Sequence, residues 1–193
     1  MHRYYGRASR APSQLPFRCG GFSQDAVITS VSGDSVPLSD LPAFLRALLV
    51  TDGTVTKTLE AYFWESVAVD TLEQRFEVAS ESVPWIQVQT GDLCLVRDAR
   101  LRGTSTDRNY VEAFSLIRID LIPPGFRQRL IDREIGIGVL IRDSGLESYR
   151  EVLDIGLDRT AEGAAAVFRT YRIIIDGRPV ILITEYFPLT LYR

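Results

Sequence analysis

The sequence predicts an α+β fold: a single antiparallel β-sheet of about six strands with helices on one side. Three observations carry that expectation. Apolar, β-branched-rich runs follow one another with short breaks between them. Asp176-Gly177 stands between VFRTYRIII and VILITEYF, and Asp-Gly between two apolar runs is a strong hairpin signal. Helical periodicity is confined to a few short segments, so strands and helices do not alternate as in a parallel-sheet protein.

The elements can be justified in order. Residues 1–24 are rich in Gly, Ser, Pro and Arg with no apolar period, and read as a flexible or irregular arm before one domain over 25–193. AVITSVSGDSVPLSD offers a short strand and a turn. In LPAFLRALLV the residues Phe44, Leu45, Leu48 and Leu49 form one helical stripe, with Ser39 as N-cap, Pro42 in the first turn and Asp52-Gly53 as the stop. TVTKTLEAYFWESVAVDTLEQRF, rich in Thr, Val and aromatics, reads as a hairpin turning near Glu65-Ser66. GDLCLVRDARLRG alternates strictly and is a strand; YVEAFSLIRIDLIP is another. Pro123-Pro124 opens a helix, PPGFRQRLIDRE, and GIGVLIRDSG reads as a second short one. ESYREVLDIGL fits helix or strand, and the Asp-Gly hairpin closes the chain.

Composition narrows the function. With 193 residues, 46% hydrophobic and 24% charged, the chain is an ordinary globular one. A net charge of −3 argues for neither nucleic acid nor an anionic membrane as partner. Two cysteines, Cys19 and Cys94, make no disulfide framework, and a reducing cytoplasm is expected. His2 is the lone histidine, which excludes Ser-His-Asp and Cys-His catalysis and any histidine-rich metal site. Lys57 is the sole lysine among 22 cationic residues; this fits carboxylate recognition by guanidinium, or simply a codon bias.

Two charges break otherwise apolar faces. Leu93, Leu95, Arg97, Ala99 and Leu101 share one side of their strand; Ile181, Ile183, Glu185 and Phe187 share one side of theirs. An isolated buried charge is too costly to keep, so such groups are paired or functional. Arg97 and Glu185 therefore form a structural ion pair with each other, or Glu185 reaches water past Pro188, or the two line a pocket in which arginine holds an anion and glutamate handles a proton.

Those strands also carry a resemblance. LLVTDGTVTKTLEAYF, CLVRDARLRG, AFSLIRIDLIP, GIGVLI and RTYRIIIDGRPVILITEYFP resemble, in that order, segments of the chorismate lyase (chorismate–pyruvate lyase) family. The likeness covers about residues 40 to 190 and sets LLVTDGTVTKTLEAYF on the family's helix end and first long strand. It implies a cofactor-free and metal-free enzyme that splits chorismate into pyruvate and 4-hydroxybenzoate, with chorismate or a similar small-molecule carboxylate as its substrate. It also implies an enclosed site under helical flaps, here the helix ending near Asp52 and the 123–144 region. Arg97 falls on the family's substrate arginine and Glu185 on its active-site glutamate. Backbone N–H groups of Val55 and Ile137 would hold the ring carboxylate beside Gly138, and Arg172 would contact the pyruvyl carboxylate. Lys57, Arg169 and Arg178 would be solvated or structural. Gly136-Ile137 replaces the family's Pro-Leu, which would loosen that loop and alter the pocket.

Two other functions fit the same residues. The fold also serves as an effector-sensing, non-catalytic ligand-binding domain in transcription regulators, but those carry a helix-turn-helix domain ahead of it, whereas about 38 unpatterned residues precede the match here. A family member could also be reassigned to another small-molecule elimination or cyclisation through the altered loop.

Overall fold

In the computed structural model, the described residues are Met1, 27–29, 35–132 and 136–192; the 1–24 arm, apart from Met1, lies outside them. Val27–Thr29 (β1) and Ser35–Pro37 (β2) pair as a small antiparallel ribbon. The main sheet comprises Val67–Val78 (β3), Leu93–Gly103 (β4), Asn109–Ile117 (β5), Ser148–Arg159 (β6), Ala165–Ile175 (β7) and Arg178–Pro188 (β8). Its order is β3-β4-β5-β8-β7-β6 and every neighbouring pair is antiparallel. The expected six-stranded sheet is therefore present. The closing hairpin turns at Asp176 and Gly177, both at positive φ (49° and 72°), as a two-residue turn between right-twisted strands requires.

The described helices are Ala43–Val50 (α1), Val55–Phe63 (α2), Pro124–Ile131 (α3) and Ile137–Asp143 (α4). All four pack on one face of the sheet. Leu45, Leu48, Leu49 and Leu59 of α1 and α2 meet Leu101, Val111, Val167 and Phe187. Phe126, Leu130, Ile137, Leu140 and Ile141 of α3 and α4 meet Leu95, Ile117, Ile173 and Ile181. Alternation sends Cys94, Val96, Phe114, Leu116 and Leu182 to the opposite face, where Val83, Trp85, Ile86 and Val88 cover them. Met1 is buried in that second layer. None of the described helices is long and apolar enough to cross a membrane.

Two elements differ from the sequence expectation. Pro42 itself is the N-cap of α1, with no side-chain cap. More consequentially, VTKTLEAYF is the helix α2 and not the first strand of a hairpin; β3 begins only at Val67. Its threonines, valine and aromatics favour a strand by propensity, but Val55 and Leu59 are one helical turn apart and both are buried in the core. Tertiary burial outweighs a propensity difference of a few tenths of a kcal/mol per residue. The ambiguous ESYREVLDIGL is strand β6.

After α2, Trp64 adopts the left-handed conformation (φ 57°) and the chain reverses. Glu65 then reaches the β4–β5 turn. It accepts hydrogen bonds from the backbone N–H groups of Ser105 and Thr106, from the Thr106 hydroxyl and from the Tyr110 hydroxyl. Those donors, the Tyr110 hydroxyl first, hold the Glu65 carboxyl down at about 2, against an ordinary 4.5. A depressed folded-state value contributes stability above the unfolded value that disappears as pH falls through the folded one. Wild type should therefore exceed Glu65→Gln in urea midpoint at pH 6, with the gap closing between about pH 4.5 and pH 2; a gap constant down to pH 2 would contradict this.

Candidate active site

A cavity of about 650 Å³, open mouth included, lies between the helix face of the sheet and the starts of two helices. Its floor is built by alternation on the central strands: Arg97 and Ala99 from β4, Ala113 and Ser115 from β5, Ile183 and Glu185 from β8, Tyr171 and Ile173 from β7. Small residues sit between the charges, which leaves the space. The roof is the 53–56 segment opening α2 and the 136–139 segment opening α4.

Each roof segment exposes unsatisfied backbone donors, as the first turn of any helix does. Thr54 caps α2 and Gly136 caps α4, and neither makes a side-chain cap hydrogen bond. A Cβ on Gly136 would come within 3.2 Å of a Val69 methyl, so glycine there lets α4 start close against β3. The glycine serves close approach where a looser loop was expected.

Arg97 is 2% exposed. Its Nε and Nη2 donate to Thr71 Oγ1 at 3.2 and 2.7 Å. A β-bulge supports this contact: Thr71 pairs with Ala99 and Glu73 with Asp98, leaving Leu72 as the extra residue of β3. Beyond the bulge Gln74 turns to the helix side and donates to the Leu130 and Ile131 carbonyls at the end of α3.

Glu185, 5% exposed, has Arg169 as its ion-pair partner; the pairing with Arg97, one of the alternatives the sequence left open, is not the one formed. Arg169 Nε donates to Glu185 Oε2 at 2.8 Å, and the Tyr171 hydroxyl donates to Oε1 at 3.1 Å. Arg169 is 1% exposed and its Nη1 donates to the Leu48 and Thr51 carbonyls, the last turn of α1. A cation at a helix C-terminus satisfies orphan carbonyls and complements the helix dipole. The guanidinium also lies 4.8 Å from the Tyr171 ring centroid. Burial, with Glu185 adding to it, pushes the Tyr171 phenol well above its ordinary value, so it stays a donor.

Arg97, Glu185, Val55, Ile137 and Gly138 are thus brought to one cavity. Arg172 is not. It occupies the other face of β7, pairs with Glu151 and donates to the Trp85 carbonyl, clamping the Pro84–Ile86 turn that covers the sheet's far side. Strand alternation decides this: 169 and 171 point to the cavity side and 172 away. Lys57 pairs with Glu60 outside the cavity. Sequence reasoning missed Tyr171, Ser115 and Arg150 as lining residues. The period-2 pattern Val167, Arg169, Tyr171, Ile173 carried the same signal that singled out Arg97. Cys94 is buried, and desolvation raises its thiol to about 11, so it supplies no nucleophile. Among the described residues no group of His, Cys, Asp or Glu has the makings of a metal site.

The chain has relatives among known proteins. A family model described as Chorismate pyruvate-lyase Rv2949c-like matches residues 49–193. The chain is 31% identical over 159 residues to a chorismate pyruvate-lyase of Mycobacterium leprae, covering 77% of this chain and 76% of that one. It is 28% identical over 163 residues to the chorismate pyruvate-lyase of Mycobacterium tuberculosis, covering 77% and 81%. Among solved structures, the effector domain of PhnF from Mycobacterium smegmatis superposes with a TM-score of 0.54 at 14% identity, over 70% of this chain and 88% of that one. A GntR-family regulator from Bacillus cereus gives 0.52 at 14%, over 66% and 94%. These last two likenesses are of fold alone.

Removing one partner of a buried ion pair strands the other. Arg169→Met should cost about 3 kcal/mol or more, because it isolates Glu185 and frees the α1 carbonyls. Arg172→Met, which breaks a partly exposed pair, should cost about 1 kcal/mol. Urea unfolding of both variants checks the ranking; equal losses would contradict it.

Proposed function

Because the chain belongs to the chorismate pyruvate-lyase Rv2949c-like family, we propose that it eliminates pyruvate from chorismate and releases 4-hydroxybenzoate, working in the cytoplasm. The observation that carries this reading is the convergence of Arg97, Glu185 and the starts of α2 and α4 on one cavity.

Chorismate is a small ring bearing one carboxylate, a C4 hydroxyl and an enolpyruvyl ether on the adjacent carbon. Elimination breaks the C4–H bond and the ether C–O bond. The C4–H electrons complete the aromatic ring, the ether oxygen leaves with its bonding pair, and the enolpyruvyl carbon takes up a proton to give pyruvate. Atoms balance without water, oxidant or co-substrate. Aromatisation supplies the driving force, and the protein's task is orientation and electrostatic stabilisation.

Arg97 would hold the ring carboxylate with a fork that lysine cannot copy, and the N–H groups at the starts of α2 and α4, Val55 and Ile137 with Gly138 beside it, would add donors and favourable dipole ends. Glu185 enters as the negative member of a pair. In that form it would accept a hydrogen bond from the C4 hydroxyl, the group that becomes the product phenol, and fix the orientation of the C4–H bond. Tyr171 and Arg169 hold the carboxylate for this role.

Mixing the purified protein with chorismate and following the absorbance of 4-hydroxybenzoate tests the reading directly. Arg97→Lys and Glu185→Gln should each lower turnover by roughly 10²-fold or more. Turnover per folded molecule near that of wild type in either variant would remove that residue from the mechanism. Wild-type turnover should survive EDTA and dialysis; loss restored by a divalent ion would overturn the cofactor-free scheme.

A further inference from the structure

We propose that Arg150 binds the second carboxylate of a dicarboxylate substrate and sets the site's preference for dianions over monoanions. This rests on the elimination reading above and deepens it, since neither the family resemblance nor the alternation of the strands singled out Arg150.

Arg150 is the second arginine of the cavity. Arg97, Arg150 and Glu185 are the only charged side chains among the described residues that line it. Arg150 rises from β6, the edge strand of the sheet, opposite Ile173 of β7 and on the cavity side. Its guanidinium comes over the start of α4, where a Cβ on Gly138 would lie 3.7 Å from Nη2. Its one hydrogen bond among the described residues is from Nη1 to the Asp52 carbonyl, at 2.6 Å. It has no carboxylate partner there. Arg102 and Arg142 on the surface each pair with an aspartate, and Arg169 with Glu185. A half-buried arginine in a cavity, with most of its donors unspent and no counter-ion, is built to receive an anion from outside the chain.

The spacing fits a dicarboxylate. From β4 to β6 the sheet takes four strand-to-strand steps, through β5, β8 and β7, so the stems of Arg97 and Arg150 stand roughly 19 Å apart at the backbone. Two long side chains reaching inward across that width leave the span of one small ring with a carboxylate at each end. Glu185 lies on β8, the middle strand of the five, and so falls between the two arginines, where the bonds to be broken would lie. The bond to Asp52 also ties β6 to the loop that leads into α2, so a ligand on Arg150 would meet the mouth of the cavity at its closing edge.

The test compares two ligands that differ in carboxylate count. Steady-state kinetics with chorismate reports the dianion; equilibrium binding of 4-hydroxybenzoate, by calorimetry, reports the monoanion. In Arg150→Gln the KM for chorismate should rise about tenfold or more while the affinity for 4-hydroxybenzoate changes less than about threefold. Arg150→Lys, which keeps the charge and loses the fork, should fall between. Equal weakening of both ligands would make Arg150 a mere strap on the cavity mouth, and no change in either would remove it from the site; both outcomes overturn the proposal. Melting temperatures of the variants guard against a folding defect, and a Gln variant that fails to fold leaves the Lys variant to decide by the same ratio. If wild type turns over no chorismate, the elimination reading fails by itself. Chorismate binding is then measured by calorimetry, where Arg150→Gln must still weaken chorismate about tenfold more than 4-hydroxybenzoate.

Discussion

Arg169 is the residue on which the helix layer and the site both depend. Its fork joins three things that would otherwise be separate problems: the Glu185 carboxylate in the middle of an apolar sheet, the unsatisfied carbonyls at the end of α1, and the Tyr171 ring. Neither charge would be tolerable in the core without the other. Together they fix where α1 ends, and so where the 53–56 segment begins its passage over the cavity. Buried ion pairs contribute little net stability beside a packed apolar alternative. Here the pair holds Glu185 facing the cavity, on the same lining as Arg97 and the starts of α2 and α4.

The cavity itself follows from volume. Along β4 and β5 the cavity-side positions nearest the charges are Ala99, Ala113 and Ser115, while larger residues resume at Leu95 and Ile117. Where small side chains meet helix starts in place of helix flanks, the layer cannot close, and the space is lined by backbone donors and arginines. Such a lining is suited to an anion. The whole chain is slightly acidic at −3, so any pull on an anion there is local, set by the cavity's own arginines and helix starts.

The far face of the sheet shows the same residue types used differently. Arg172 and Arg118 each donate to a carbonyl of the turn that covers it, Trp85 and Ile86 respectively. Residues 171 and 172 are neighbours in sequence, yet one touches Glu185 at the cavity and the other holds down the turn that covers the far face. A period of two separates them completely. The sequence resemblance gave Arg172 a place in the site because an arginine stands there on the penultimate strand, and only the parity of the observed strand moves that role away.

What the sequence determined by itself was local and periodic. Alternation along LCLVRDARL and VILITEYF put Arg97 and Glu185 on apolar faces, Asp176-Gly177 fixed the last hairpin, and Pro123-Pro124 fixed the start of α3. These are read from neighbours along one chain segment, and the tertiary structure kept them. What only the tertiary structure decided was which charges meet. Glu185 pairs with Arg169 because β7 lies beside β8, whereas β5 separates β8 from β4 and Arg97. Strand order is set by the packing of the whole sheet, which no single segment encodes. The same holds for VTKTLEAYF, whose strand-like composition yields to a helix because a helix buries Val55 and Leu59 while leaving Lys57, which a strand would put on their face, in solvent. Arg150 stayed invisible for that reason too: in sequence it is one arginine among many, and it becomes a cavity cation only when the sheet's edge is folded over the start of α4.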